Sequence, residues 1–165
     1  MRMTEGITTF FGVGYMRPGS GTWGSLASLP GAWALHVIGG PVLLCVGVVA
    51  SFTLGLWATR LETKGKDDHD PSEIVIDEVA GQWVALIPVS IGASHAGVSI
   101  LALWPGWVVA FVLFRVFDIW KPGPVGWADR RGDALGVMLD DILAGAFAAL
   151  GVMALAWVAH SGALG

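Results

Sequence analysis

Five carboxylates carry the chemistry available to this chain: Asp77 and Glu78, Asp118, and Asp140 and Asp141. Each falls at or just inside the end of an apolar stretch. A charge deep in a bilayer costs roughly 2.5–3.5 kcal/mol on insertion scales. Five uncompensated acids would therefore rival a domain's net stability of about 5–15 kcal/mol, and they repel one another. Partial protonation is one way to offset this. A hard divalent cation is the stronger way, because Mg2+ takes oxygen ligands and keeps waters that a phosphate can replace. A single acid in the first turn of a helix is ordinarily a partner of the helix dipole, and that reading would serve for Asp140 or Asp141 alone. It does not serve for Asp118, which the pattern places near a helix C-terminus, where negative charge is unfavourable.

Cations are interleaved with these acids. Arg115 and Lys121 flank Asp118 at spacings of three. They either snorkel to the interface and pair with Asp118, or bind a phosphate that also touches a metal. The run from Gly12 to Ser25 is rich in glycine and hydroxyls. Such a loop ahead of a helix can aim backbone N–H groups at an anion, although the Gly-Lys-Ser/Thr of a P-loop is missing. His36, His95 and His160 lack metal-site spacing, and His69 reads as a solvated residue of an acidic loop. No local Ser-His-Asp pattern is present.

These residues need elements to position them. Of the 165 residues, 55% are hydrophobic and 13% charged, with 24 Gly and 9 Trp. A water-soluble surface needs more charge than that. The expected fold is all-α, a polytopic bundle of membrane helices forming one domain over 1–165. Five apolar segments run roughly over 23–38, 41–58, 74–91, 98–119 and 137–159. The second, fourth and fifth approach the roughly 20 residues a span requires; the first, with Ser25, Ser28 and Pro30, either crosses or is re-entrant. A net charge of −4 argues against nucleic acid as a partner. Cys45 stands alone, and the N-terminal residues lack the apolar core of a signal peptide.

All nine Lys and Arg fall before the first segment, between the second and third, and around the end of the fourth up to the fifth. With five crossings these regions share one side, which the positive-inside rule makes cytoplasmic. Asp70-Pro71-Ser72-Glu73 predicts a helix start, with Asp70 as N-cap and Glu73 at N3. That puts Asp77 and Glu78 about two turns into the third helix. Pro122 and Pro124 stop the fourth helix near Lys121, and Asp140 and Asp141 are expected in about the first turn of the fifth. An internal echo links Asp77-Glu78-Val79-Ala80-Gly81 with Asp140-Asp141-Ile142-Leu143-Ala144-Gly145. Gly81 and Gly145, each four residues after an acid, would let two helices approach closely.

Four blocks extend this reading. They are Gly21-Thr22-Trp23-Gly24-Ser25-Leu26, the run Asp70–Gly81, Phe114-Arg115-Val116-Phe117-Asp118-Ile119-Trp120-Lys121-Pro122, and the run Gly136–Gly145. In their order and spacing the chain resembles the phosphatidylglycerophosphatase A family of bacterial inner-membrane enzymes. The resemblance implies Mg2+-dependent removal of the terminal phosphate of phosphatidylglycerophosphate, at the cytoplasmic face, among membrane lipids. By matching block it implies metal or catalytic roles for Asp77, Glu78, Asp118, Asp140 and Asp141, and phosphate-site roles for Thr22, Ser25, Arg115 and Lys121. Asp70 and Glu73 are expected behind them as supporting groups. Two departures stand out: Ser20 occupies a position where the family usually has Pro, and Asp133-Ala134-Leu135 replaces a glycine-rich approach to Gly136. The rival reading is an ion-coupled transporter or channel subunit, since intramembrane acids also mark ion paths; there the acids should lie near mid-membrane rather than crowd one edge.

Overall fold

The computed structural model describes residues 1–66, 68 and 70–161, so His69 lies outside the described residues. Helices are the regular structure of the described residues, with no strand among them. In order they form α1 (Met3–Thr8), a 3-10 turn (Val13–Tyr15), α2 (Ser20–Glu62), α3 (Ile76–Ala96), a second 3-10 turn (Ile100–Leu103), α4 (Trp104–Trp120), α5 (Pro124–Asp129) and α6 (Ala134–His160).

The break within α2 follows from its sequence. Gly39 and Gly40 leave helical geometry, and Gly40 takes φ 62° and ψ −156°, a conformation open to glycine. Pro41 then starts the second arm, where a missing N–H costs nothing. The arms run antiparallel. Gly24 of the first arm packs on Val75 and Gly55 of the second on Ile76, while Gly31 and Gly47 both face the Trp83 indole. Trp83 Nε1 also donates to the Ser28 carbonyl at 2.9 Å. The first two apolar segments of the sequence are thus the arms of one broken helix.

Helix α3 is central, packed on α2 on one side and α6 on the other, with α4 completing the bundle. Polar groups lie inside and large apolar side chains lie outside to a degree unusual for a water-soluble domain. Ser25, Ser28, Asp77, Gln82, Ser90, Asp140 and Asp141 are buried, while Ile38, Val42, Trp104 and Trp157 point outward. Three helical stretches, 20–62, 100–120 and 134–160, are long and apolar enough to cross a membrane. Apolar side chains facing out around a core that also encloses charged and polar groups are what lipid solvation favours.

Two expected boundaries are corrected. Helix α3 begins at Ile76, not near Pro71, so Asp77 and Glu78 lie in its first turn. The N-terminal segment takes the backbone groups a longer helix would need: Val75 N–H donates to the Thr8 carbonyl at 2.8 Å, and the Ser20 hydroxyl donates to the Ser72 carbonyl. Helix α6 begins at Ala134, because Asp133 caps it by accepting from Gly136 N–H at 2.7 Å. Asp140 and Asp141 therefore lie in its second turn. The end of α4 is as expected: Lys121 adopts a left-handed φ of 51° ahead of Pro122.

Candidate active site

The acids of α3, α4 and α6 converge. One carboxylate oxygen from each of Asp77, Glu78 and Asp141 lies within 4.8 Å of the other two, and so do oxygens of Asp118, Asp140 and Asp141. Asp141 belongs to both sets, so all five acids form one cluster.

A backbone contact sets this convergence. A Cβ at Gly81 would sit 2.5 Å from the Asp141 carbonyl oxygen and 2.5 Å from the Phe114 ring, and a Cβ at Gly145 would collide with the Gly81 carbonyl oxygen. Helices α3 and α6 thus touch main chain to main chain one turn below the acids, the close approach expected of small residues in membrane bundles.

The cations divide the cluster unevenly. Arg115 Nη1 lies 2.7 Å from Asp118 Oδ2 and 4.0 Å from Glu78 Oε1. Lys121 Nζ donates to Asp140 Oδ2 at 2.8 Å and also to Asp129. Burial alone would lower the Lys121 pKa, but its bonds to Asp129 and Asp140 outweigh that and hold it above the ordinary range. Asp140 Oδ1 accepts from Asp141 N–H at 3.0 Å. By contrast, Asp77 Oδ1, Glu78 Oε2 and Asp141 Oδ2 are buried and accept no hydrogen bond from the protein. Buried charged oxygens without partners are costly. Three such oxygens, on carboxylates clustered within 4.8 Å of one another and all hard donors, fit a divalent cation.

The first turn of α2 forms a wall of the site. A side chain at Gly21 would strike Glu78 Oε1 and come within 3.1 Å of both Arg115 Nη atoms. Thr22 is half-buried in that turn. Ser25 is fully buried, and its hydroxyl donates to the Gly21 carbonyl at 2.9 Å. Asp70 stands exposed at the rim, near enough to Lys121 and Asp118 to feel their charges. Glu73 is not brought to the acids; it lines a separate polar cavity of about 160 Å3 with Arg2, Glu5, Tyr15 and Glu62.

Sequence reasoning missed three participants: Asp129 as a partner of Lys121, Gly21 as the wall, and Gln82. Gln82 is fully buried with neither amide atom hydrogen-bonded, one turn below Glu78 on α3. An amide in the interior of a membrane helix was its available signal.

Fold and site together define a polytopic membrane protein whose buried acids, with two cations beside them, can hold a divalent ion and a phosphate between three helices. Comparison with known proteins gives the family. A family model described as Phosphatidylglycerophosphatase A matches residues 6–156. Phosphatidylglycerophosphatase A of Haemophilus influenzae is 35% identical over 147 residues, covering 88% of this chain and 83% of the relative. The Escherichia coli K12 protein of the same name is 35% identical over 141 residues, covering 84% and 75%. A Bacteroides thetaiotaomicron relative, provisionally named a phosphatidylinositol-3-phosphatase, is 34% identical over 158 residues and covers 92% of both chains. No solved structure matches. The chain belongs to the phosphatidylglycerophosphatase A family, a family of bacterial phosphatases.

Proposed function

We propose that the protein hydrolyses phosphatidylglycerophosphate to phosphatidylglycerol and phosphate, with Mg2+, in glycerophospholipid synthesis at the cytoplasmic face of a bacterial inner membrane. The observation that carries this is the pair of carboxylate triads joined at Asp141, with Arg115 and Lys121 beside them. The basic segments of the sequence support the cytoplasmic side. The acids gather at helix ends, which favours an interfacial reaction over a path through the bilayer.

Asp77, Glu78, Asp118, Asp140 and Asp141 would hold the ion, which when bound polarises phosphoryl oxygens and acidifies water. Arg115 and Lys121 stabilise charge on those oxygens, and Gly21 lets the first turn of α2 pack directly on Glu78 and Arg115. A water oxygen bonds to phosphorus while the bond from phosphorus to the glycerol oxygen breaks. A carboxylate oxygen of this cluster that the ion does not engage takes the water's proton, which returns to the departing glycerol oxygen. The acyl chains stay among the outward apolar side chains.

Phosphate release from purified protein in micelles, with Mg2+ and with EDTA, tests this reading. Release should require the metal, and phosphatidylglycerophosphate should be preferred over phosphatidylinositol 3-phosphate, the lipid in the name of the Bacteroides relative. Asp77→Asn and Asp141→Asn should abolish turnover while leaving expression and membrane insertion intact. Release unaffected by EDTA, or near-normal activity in both variants, refutes the assignment.

A further inference from the structure

The two triads that share Asp141 are not equivalent. In the first, Asp77 Oδ1, Glu78 Oε2 and Asp141 Oδ2 are buried with no hydrogen-bond partner, and Asp77 and Asp141 are only 7% and 2% exposed. The nearest cation in an ion pair there is Arg115, 4.0 Å from Glu78. In the second, Asp118 is held by Arg115 at 2.7 Å and Asp140 by Lys121 at 2.8 Å. Protein cations already stand where a second ion would go. A divalent ion arriving there would meet two like charges at close range.

Charge gives the same order. Within the five clustered acids, Arg115 and Lys121 answer two and leave three negative charges; Asp129, which Lys121 also pairs with, lies outside that set, with its side chain 41% exposed. One divalent cation nearly neutralises the remainder. A second would make the buried cluster net positive unless a phosphate dianion arrived with it. Arg115 is poised for that exchange: its contact with Asp118 is close, yet Nε and Nη1 make no hydrogen bond. Guanidinium and ammonium groups both favour phosphate oxygens.

We propose that the cluster holds two divalent cations of unequal affinity. Asp77, Glu78 and Asp141 hold the first whether or not phosphate is present. Asp118, Asp140 and the shared Asp141 hold the second only when a phosphate group draws Arg115 and Lys121 away. This rests on the metal-dependent phosphatase reading and adds to it an order of assembly. By linkage, phosphate and the second cation must raise each other's affinity by the same factor.

Mn2+ is the probe, titrated into purified wild-type protein in detergent micelles and followed by electron paramagnetic resonance. Without phosphate, one tight, magnetically isolated Mn2+ per chain is expected. Millimolar inorganic phosphate, the reaction's own product, should add a second Mn2+ with at least about tenfold tighter affinity and produce a spin-coupled spectrum, because both ions share Asp141. Asp140→Asn should keep the tight ion and lose the phosphate-dependent one, whereas Glu78→Gln should weaken the tight ion. Two equivalent ions without phosphate, or one ion indifferent to phosphate, overturns the proposal. If Mg2+-dependent phosphate release persists in that sample, the phosphatase reading stands; if Mn2+ binding and release are both absent from folded wild-type protein, both fall. The wild-type titration decides even if a variant fails to fold.

Discussion

Gly81→Ala adds one methyl group at the main-chain contact between α3 and α6 and should cost far more activity than stability. The new Cβ would lie 2.5 Å from the Asp141 carbonyl oxygen and from Phe114, where ordinary contact begins at 3.4 Å. The helices must therefore part by about 1 Å, since neither a backbone carbonyl nor a packed ring can yield that much alone. Mg2+–O bonds are about 2.0–2.1 Å, so oxygens on opposite sides of one ion are about 4.2 Å apart at most. The Asp77, Glu78 and Asp141 oxygens already lie within 4.8 Å of one another. A further ~1 Å takes them beyond the reach of one ion, and a displacement of that size costs on the order of a hundredfold in rate, or about 2.7 kcal/mol of barrier. Gly145→Ala acts on the same contact from the other side, so the double variant should be little worse than either single one. Gly92→Ala is the control, on the same helix, where a Cβ meets only Leu103 at 3.6 Å. The assay is phosphate release across a Mg2+ titration, with thermal unfolding measured in parallel. The two site variants should need more Mg2+ and turn over slowly, while Gly92→Ala matches wild type. Wild-type rates and Mg2+ dependence in Gly81→Ala and Gly145→Ala would refute the claim that this crossing sets the carboxylate spacing.

Gly21→Ala should likewise reduce turnover, because its Cβ strikes Glu78 and crowds Arg115, and phosphate release at saturating Mg2+ reads the loss. Mg2+ should raise thermal stability, by about 2.7 kcal/mol when free ion exceeds its dissociation constant a hundredfold, and EDTA should reverse the gain as followed by tryptophan fluorescence. Asp133→Ala should destabilise α6 by about 1 kcal/mol near neutral pH through loss of its cap. Bonds from Arg131 and Gly136 hold the Asp133 carboxyl below its ordinary pKa, so its contribution is full above the unfolded-state value and fades as pH falls through the lowered one. The gap between wild type and Asp133→Ala in thermal melts should close on acidification.

Local signals in the sequence reached a long way, and their failures share one cause. The echo between Asp77–Gly81 and Asp141–Gly145 anticipated the crossing because a glycine one turn from an acid carries its meaning in four residues. The stop at Lys121 was legible from Pro122, and the break at Gly39-Gly40-Pro41 from composition alone. The start of α3 was misread because Asp70-Pro71-Ser72-Glu73 has good capping chemistry, yet residues 72 and 75 are claimed by Ser20 and Thr8, more than 50 positions away. Glu73 was misplaced with them, since it turns toward the cavity under α1 once the helix starts late. Gln82 and Gly21 were missed for a related reason. Their importance lies in what surrounds them, an amide without partners and a glycine pressed on two charged side chains, and no spacing rule carries that.

The glycines bear on how such a site can exist in lipid. Five acids of like charge should push their helices apart, and apolar side chains exert little pull on one another in a bilayer, where the lipid tails are equally apolar. Close packing must supply the opposing force, and it is strongest where main chains meet. Gly21 seats the first turn of α2 on Glu78 and Arg115, while Gly81 and Gly145 seat α3 on α6. Each contact lies within about one turn of an acid. The carboxylates are thereby held at near-coordinating distance by dispersion contacts independent of any ion, so a cation that binds there relieves repulsion instead of having to gather its ligands. The affinity proposed for the first triad, and a phosphate site preorganised beside it, would follow from that same packing.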